Sequence, residues 1–243
     1  MISSRSRLSY KDRRSHQKQR YRFVGVVLLA LAIYGIVSVV LAEPWILETD
    51  AMGPTMPSGT RFLVSPYLIR SASGSLRRPP DRGDIVSLHP PYAEQRAWHI
   101  RIFDPFVRFI TLQNASLGIR SDSSWDRDRV FKRVIGIPGD TIRMSGSVAY
   151  VRGRDEEFFL SEFEMSGSGY DLQVPELPPG WTSDLPLAGE RPDFTLGTGE
   201  YFVLGDNRSA SNDSRYWGPV DESLIRGRVI LIYWPFRSFG SPR

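Results

Sequence analysis

The sequence predicts a mainly β protein built from antiparallel strands, and three observations support this fold class. Segments rich in β-branched and aromatic residues are about four to eight residues long, which is the length of a strand. Prolines and glycine-containing turns separate these segments throughout the chain. Beyond the N-terminal region, only residues 103–112 carry a helical pattern. The 243 residues are enough for one large or two small domains with a packed core.

Seven strand candidates follow one another along the chain, each bounded by turn residues. Pro66 and Pro235 close two of them, because proline has no N–H to donate to a ladder. Two neighbouring candidates flank a short polar turn and are expected to form a hairpin. The candidates are residues 61–65, 82–89, 130–134, 141–144, 147–152, 201–204 and 228–234.

Two segments interrupt this pattern and are interpreted as insertions. Residues 92–128 contain Asp104 and Pro105, which suit an N-cap and the first helical position. The aromatic-rich face of residues 103–112 would pack on the protein's own core or lie on a membrane surface, and the first is favoured. Residues 153–198 are acidic and then dense in proline and glycine, so little regular structure is expected there.

The N-terminal tail explains the net charge of +4. Residues 1–22 carry eight Lys or Arg residues against one Asp, a surplus of seven, so the rest of the chain carries −3. The basic character therefore belongs to the tail, and a nucleic-acid-binding function of the folded part has little support. The chain has no cysteine, which excludes disulfides and thiolate metal sites.

Residues 23–42 form a charge-free apolar run of 20 residues. At about 1.5 Å per residue a helix of this length spans roughly 30 Å, the hydrocarbon thickness of a bilayer. The basic flank is expected to stay in the cytoplasm, which places residues 43–243 outside it. A cleavable signal peptide ending at Ala42 is the alternative, but the run is longer than the usual 7–15 apolar residues. The sequence thus predicts a cytoplasmic tail, one transmembrane helix and an extracytoplasmic domain.

Lys132 is the only lysine after Lys18, while every other cation beyond the first 20 residues is an arginine. A guanidinium stays protonated in proteins, whereas burial can lower the pKa of an ammonium to about 5–6. Lys132 is therefore a candidate for a cation that becomes a neutral base. The alternative interpretation is that the chain simply favours arginine over lysine and that the single lysine has no special role.

Other kinds of catalytic site find little support. The folded part has two histidines, His89 and His99, and no Gly-x-Ser-x-Gly turn, which argues against a Ser-His-Asp triad. No spaced His or Cys cluster predicts a metal, and no glycine-rich loop before a helix predicts a phosphate site, so no cofactor is expected. A hydrolase built on a lysine base would need a serine nucleophile close by.

Four boxes in the chain resemble those of bacterial type I signal peptidases. They are residues 49–56 (TDAMGPTM), 82–86 (RGDIV), 132–140 (KRVIGIPGD) and 205–218, which begins GDNR and ends DSRYWG. Their order and spacing match the family from residue 23 to about 236, apart from the two insertions.

This resemblance implies a mostly β enzyme of the bacterial cytoplasmic membrane that removes signal peptides from secreted preproteins by a Ser-Lys dyad. Its partners would be signal peptides, the lipid bilayer and the secretion machinery.

The resemblance also implies a role for particular residues. Lys132 is the general base, and Ser211 orients its amine. The Thr49 hydroxyl would stabilise the oxyanion together with the backbone N–H of Ala51. The remaining matched positions are Met52 and Pro54, which would shape the substrate groove, and Asp206, Arg208, Asp213 and Arg215, which would tie the turn beside the dyad.

The chain departs from the family at the nucleophile, because Ala51 stands where the family has serine. A methyl group cannot attack a carbonyl, and Thr49 and Ser58 do not occupy the matching position. Two explanations remain open: a deliberate serine-to-alanine substitution, or a natural homologue that binds secretory precursors or partner proteins without cutting them. Retention of Lys132 and Ser211 favours the first, since a binder has no need of an amine that can lose its proton.

Overall fold

A computed structural model describes residues 19–31, 42–66, 78–92, 129–167, 169–174 and 191–242. These residues belong to two units, one ending at Leu41 and one beginning at Ala42. The predicted tail up to residue 18 and the predicted helix at residues 103–112 lie outside the described residues.

In the first unit, residues 19–31 form a helix, α1. This helix covers part of the predicted membrane span at residues 23–42, and the rest of that span lies outside the described residues. Among the helices that the structure describes, none combines the length and apolar character needed to cross a bilayer. The transmembrane segment therefore remains a prediction.

The second unit is built from antiparallel strands, which confirms the predicted fold class. In the described residues its helices are short, and two further turns of 3-10 helix lie at Glu222–Leu224 and Phe236–Ser238. In chain order the elements are β1 (Glu43–Ile46), β2 (Arg61–Ser65), β3 (Ile85–Leu88), β4 (Val130–Gly136), β5 (Thr141–Ser145), β6 (Val148–Arg152), β7 (Leu160–Ser161), α2 (Glu162–Ser166), β8 (Arg191–Thr195), β9 (Glu200–Leu204), α3 (Ser214–Trp217), β10 (Val220–Asp221) and β11 (Ile225–Trp234).

Two sheets result from the pairing of these strands. The larger has the order β1-β2-β11-β3-β4-β9-β10, and the smaller has the order β7-β6-β5-β8. The expected hairpin is β5–β6, whose turn places Gly146 and Ser147 at φ +56° and +65°. Two positive φ values suit the type I′ turn that matches the twist of paired strands.

Strand β4 lies where the hydrophobic clusters of the core meet. Phe131 packs in the cluster of β2 and β11, with its ring edge-on to Phe62 at 4.8 Å. Val134 belongs to a second cluster with β3 and β9, and Ile135 to a third that includes residues of β5 and β6. A side chain on this strand is therefore held by packing on several sides, and Lys132 lies on it.

The expectation of little regular structure at residues 153–198 is wrong for the described part of that segment. It contains β7, α2 and β8, and two of these strands complete the smaller sheet. Helix α2 begins with a capping box, in which the Ser161 hydroxyl accepts from the Glu164 N–H and the Glu164 carboxylate accepts from Ser161. Gly167 ends it at φ +61°, as glycine commonly does after a helix. These local signals fix a single turn of helix.

Candidate active site

Lys132 lies in the middle of β4, directly opposite Val86 of β3, and is only 2 % exposed. Its Nζ donates a hydrogen bond of 2.7 Å to Ser211 Oγ. Burial lowers the pKa of Lys132 to about 8, against the raising effect of the Asp213 charge. With such a pKa, roughly one amine in ten is neutral at pH 7.

Ser211 belongs to the loop that follows β9, and Asp213 closes this loop on itself. One carboxylate oxygen of Asp213 accepts from the Gly205 N–H at 3.1 Å, and the other accepts from Arg215 Nε at 2.8 Å. Arg215 also donates to the Ser211 carbonyl at 3.2 Å. Burial opposes the ionisation of Asp213, yet its pKa lies below the ordinary value because Arg215 donates to it and carries the opposite charge.

Ala51 lies in a turn whose backbone touches the same loop. Its carbonyl oxygen accepts from the Asn207 N–H at 3.2 Å, and the residue is 8 % exposed. A β-carbon added to Gly205 would lie 2.5 Å from the Ala51 carbonyl oxygen and closer still to Ser211 Oγ. The structure thus brings the Ala51 turn, Ser211 and Lys132 together around the bare backbone of Gly205.

We expect Gly205→Ala to destabilise the protein and to break the hydrogen bond between Lys132 and Ser211. The added methyl group meets backbone at Ala51, which cannot move away as a flexible side chain could, so a cost of about 1–3 kcal/mol is expected. Urea unfolding and the NMR titration of the lysine amine measure the two effects.

The matched control for this substitution is Gly169→Ala, where an added β-carbon meets nothing within 4 Å. A change within about 0.5 kcal/mol is expected at that position. Equal stability of the Gly205 and Gly169 variants would show that the loop is not packed against the Ala51 turn as described.

The other predicted site residues occupy different environments. Thr49 is half-buried, two residues before Ala51. Met52 is fully buried in the core cluster with Phe62, so its side chain is not an open wall of a groove in this structure. Pro54 is exposed and lines a hollow of about 270 Å³ on the surface.

Two buried ion pairs hold the first part of the loop. Arg133 donates to both carboxylate oxygens of Asp206 at 2.9 and 2.6 Å, and Arg208 donates to Glu162 at 2.5 Å. All four side chains are at most 1 % exposed. Neither Glu162 nor Arg133 is predicted from the sequence as a site residue, although an arginine inside an apolar strand is a usable signal of a buried ion pair.

The described residues include no group of three or more His, Cys, Asp or Glu side chains placed to hold a metal ion. A buried amine with a lowered pKa can accept a proton, and a hydroxyl at hydrogen-bond distance can direct its lone pair.

The fold and the site define a mainly β protein whose candidate centre is a buried lysine paired with a serine. Comparison with known families identifies the family: the family model described as "Signal peptidase, peptidase S26" matches residues 20–234. The chain belongs to this family, which confirms the resemblance seen in its four boxes.

Two relatives found by sequence agree with this membership. Signal peptidase IB of Staphylococcus aureus (strain Mu50) is 27 % identical over 225 residues, which cover 92 % of this chain and 94 % of the relative. The "Probable signal peptidase I-1" of Synechocystis sp. is 25 % identical over 217 residues, covering 89 % and 84 %. A crystal structure of a signal peptidase I from Enterococcus faecalis is 24 % identical and covers 62 % of this chain and 97 % of its own. Its TM-score of 0.32 is too low for the superposition to carry an argument.

Proposed function

We propose that this protein has the site of a membrane-anchored signal peptidase I whose Ser-Lys dyad lacks its nucleophile. One observation carries the proposal: the buried amine of Lys132 donates to Ser211 Oγ at 2.7 Å, on a loop that touches the Ala51 turn. Among the residues that the structure describes, no carboxylate forms an ion pair with Lys132. A buried lysine in such surroundings is costly to the fold, so its presence argues for a chemical role.

In the proposed mechanism Lys132 acts as the general base, and Ser211 holds its Nζ in place. With a serine hydroxyl at position 51, the neutral amine would take the hydroxyl proton while the oxygen forms a bond to the scissile carbonyl carbon. The ammonium would then give this proton to the leaving amine as the C–N bond breaks, and water would hydrolyse the acyl-enzyme. The Thr49 hydroxyl and the N–H of residue 51 would stabilise the oxyanion. With Ala51 the first bond cannot form, so the protein as it stands is inactive.

The arrangement in the membrane follows from the N-terminal sequence. Residues 1–22 would lie in the bacterial cytoplasm, residues 23–42 would cross the cytoplasmic membrane once, and residues 43–243 would face outward. The substrates are then signal peptides of secretory preproteins, delivered beside the anchor, and association with the secretion machinery fits this position.

We expect the protein to bind a signal-peptide cleavage region without cutting it. The family resemblance implies pockets of alanine size that would admit alanine at the −1 and −3 positions and exclude large rings, so a peptide with phenylalanine at both positions should bind at least about tenfold more weakly. Fluorescence anisotropy with the two labelled peptides, on the full chain in detergent, measures the difference, and mass spectrometry monitors the intact peptide.

This experiment separates the proposed function from two other outcomes. Equal affinity for both peptides would show that the chain has no signal-peptide groove. Cleavage by the protein with Ala51 in place would show that another hydroxyl, such as Thr49 or Ser58, is the nucleophile. Binding without cleavage is expected under both explanations of Ala51, whether it is a substitution or the native residue.

A further inference from the structure

Glu162 holds a buried cluster that lies beside the candidate dyad and outside the four family boxes. It is the first residue of α2, and its side chain is 0 % exposed. One carboxylate oxygen accepts from Arg208 Nη2 and from the Tyr170 hydroxyl, both at 2.5 Å. The other accepts from the Ala149 N–H of β6 at 2.9 Å. A single carboxylate therefore joins the smaller sheet to the loop that follows β9.

Arg208 depends on this carboxylate for its charge balance. Burial disfavours the Arg208 cation, but the charge and the hydrogen bond of Glu162, together with smaller contributions from Tyr170 and Asp213, raise the pKa of Arg208 above its ordinary value. Beyond this ion pair, Arg208 donates to two carbonyl oxygens, those of Gly205 (2.9 Å from Nε) and Ser147. Loss of the Glu162 charge would leave a buried guanidinium unpaired, which is far more costly than loss of a surface ion pair.

The segment after α2 adds two further attachments to the same loop. Gln173 pairs with it as a short parallel bridge, donating to the Asp206 carbonyl at 3.1 Å and accepting from the Arg208 N–H at 2.8 Å. The Tyr170 ring lies 3.9 Å from the guanidinium of Arg133, which in turn is paired with Asp206. Residues 160–167 and 169–174, which belong to the segment predicted as an insertion, thus form a brace along residues 206–208.

The brace is connected to the dyad through a short series of contacts. Glu162 fixes Arg208, and Arg208 binds the carbonyl of Gly205. Gly205 is the residue packed against both Ser211 Oγ and the Ala51 backbone. We propose that Glu162 is a positioning residue that keeps Ser211 at hydrogen-bond distance from Lys132 and keeps water away from the amine. The catalytic consequence rests on the proposed function, but the geometric one does not.

The charges that act on Lys132 separate this role from a direct electrostatic one. Among the described residues they are Asp213 and Asp206, which raise the pKa of Lys132, and Arg215, which lowers it. Glu162 is not among them, so removing its charge is not expected to change the pKa of Lys132 directly. If the loop loosens when Glu162 is lost, water reaches Nζ, the desolvation that lowers its pKa weakens, and the pKa rises toward the ordinary 10.5.

The test is an NMR titration of the full chain in detergent micelles with ¹³C-labelled lysine. The chain contains three lysines, Lys11, Lys18 and Lys132, so the buried one gives a separable resonance. We expect Lys132 to titrate near pH 8 in the parent protein. In Glu162→Gln we expect the midpoint to rise by at least about half a pH unit.

Glu157→Gln is the matched control, because it removes the same charge from an exposed position five residues earlier. It should leave the midpoint unchanged. Tyr170→Phe, which removes one donor to Glu162 and keeps the ring beside Arg133, serves if Glu162→Gln does not fold, and a smaller upward change is expected. A folded Glu162→Gln or Tyr170→Phe protein with the parent midpoint, or a lower one, would overturn the proposal.

The same substitution in an Ala51→Ser background tests the catalytic consequence. The acid limb of kcat/KM should move to higher pH together with the NMR midpoint, whereas a partly unfolded enzyme loses amplitude without moving the limb. If Ala51→Ser shows no cleavage at all, the proposed function fails while the titration result for Glu162 still stands. The two failures are therefore distinguishable.

Discussion

Ala51→Ser is expected to give this protein endopeptidase activity, with cleavage of secretory precursors after Ala-x-Ala-like sites. Loss of the nucleophile costs on the order of 10⁶ in rate in a serine protease, so its restoration should raise turnover from background by a comparable factor. Serine adds one oxygen to a residue that is 8 % exposed, and Ser211, which accepts from the Lys132 amine, lies on the loop that touches the Ala51 turn. The measurement is cleavage of a purified precursor by the full chain in detergent, followed by gel and N-terminal sequencing.

The controls for this substitution use the same position. Ala51→Gly alters the side chain without adding a hydroxyl and should stay at background. If the Ala51→Ser protein leaves a precursor intact that a known signal peptidase cuts in parallel, the assignment of position 51 as the nucleophile is wrong. Cleavage at unrelated sequences would contradict the substrate class instead.

The pH dependence of the Ala51→Ser enzyme reports the state of Lys132. Only the neutral amine can take the hydroxyl proton, so kcat/KM should rise with pH, with an apparent pKa near 8. Below this value the protonated amine predominates and the rate falls about tenfold per pH unit. A profile that is flat between pH 6 and pH 9 would mean that the base is a different group.

Most of the β fold could be predicted because its signals are local. The β2 strand has the predicted bounds, Arg61–Ser65, and the hairpin of β5 and β6 follows from the Gly146–Ser147 turn. The alternation of buried and exposed residues in β5 is itself a two-residue pattern that sequence displays. Such elements are specified by neighbours a few residues apart.

The brace around Glu162 could not be predicted in the same way. Glu162 meets Arg208 across 46 residues and Ala149 across 13, and no local pattern announces such contacts. Because the residues after 166 are dense in proline and glycine, the sequence predicts little regular structure there, and this prediction misses the short helix before them. The Ser161-x-x-Glu164 capping box is a readable signal for that helix, whereas the prediction for residues 153–198 rests on composition alone.

The candidate site likewise contains one residue that the sequence can single out and others that it cannot. Lys132 is a candidate from the sequence because lysine is rare in this chain. The structure shows that its side chain is buried, as expected for a lysine that acts as a neutral base. Its partner Ser211, 79 residues away, was named through the family resemblance and could not have been chosen from the other serines by composition. The family resemblance implies a place for Met52 in the substrate groove, whereas in the structure Met52 packs in the core cluster with Phe62.

Lys132→Arg in the Ala51→Ser background is expected to abolish cleavage although it keeps the positive charge. A guanidinium stays protonated at every pH at which the protein is folded, so it has no lone pair to take the hydroxyl proton. A general base contributes about 10²–10⁴ in rate, and the loss should exceed this range because the nucleophile depends on it. Turnover on the precursor, with a fluorescent peptide for residual rates, is the measurement.

A second variant separates the loss of the base from damage to the fold. Arginine is larger than lysine, and the site is 2 % exposed, so Lys132→Arg strains the surrounding strand. The methionine of Lys132→Met is neutral, similar in length to lysine and suited to the apolar packing of β4. This variant should therefore be at least as stable as the protein with Lys132. It should also be inactive. Substantial turnover by either folded variant would remove the neutral-lysine mechanism, since neither side chain can accept a proton at this position. Inactivity of both, with the methionine variant fully folded, would leave the amine of Lys132 as the group on which the chemistry depends.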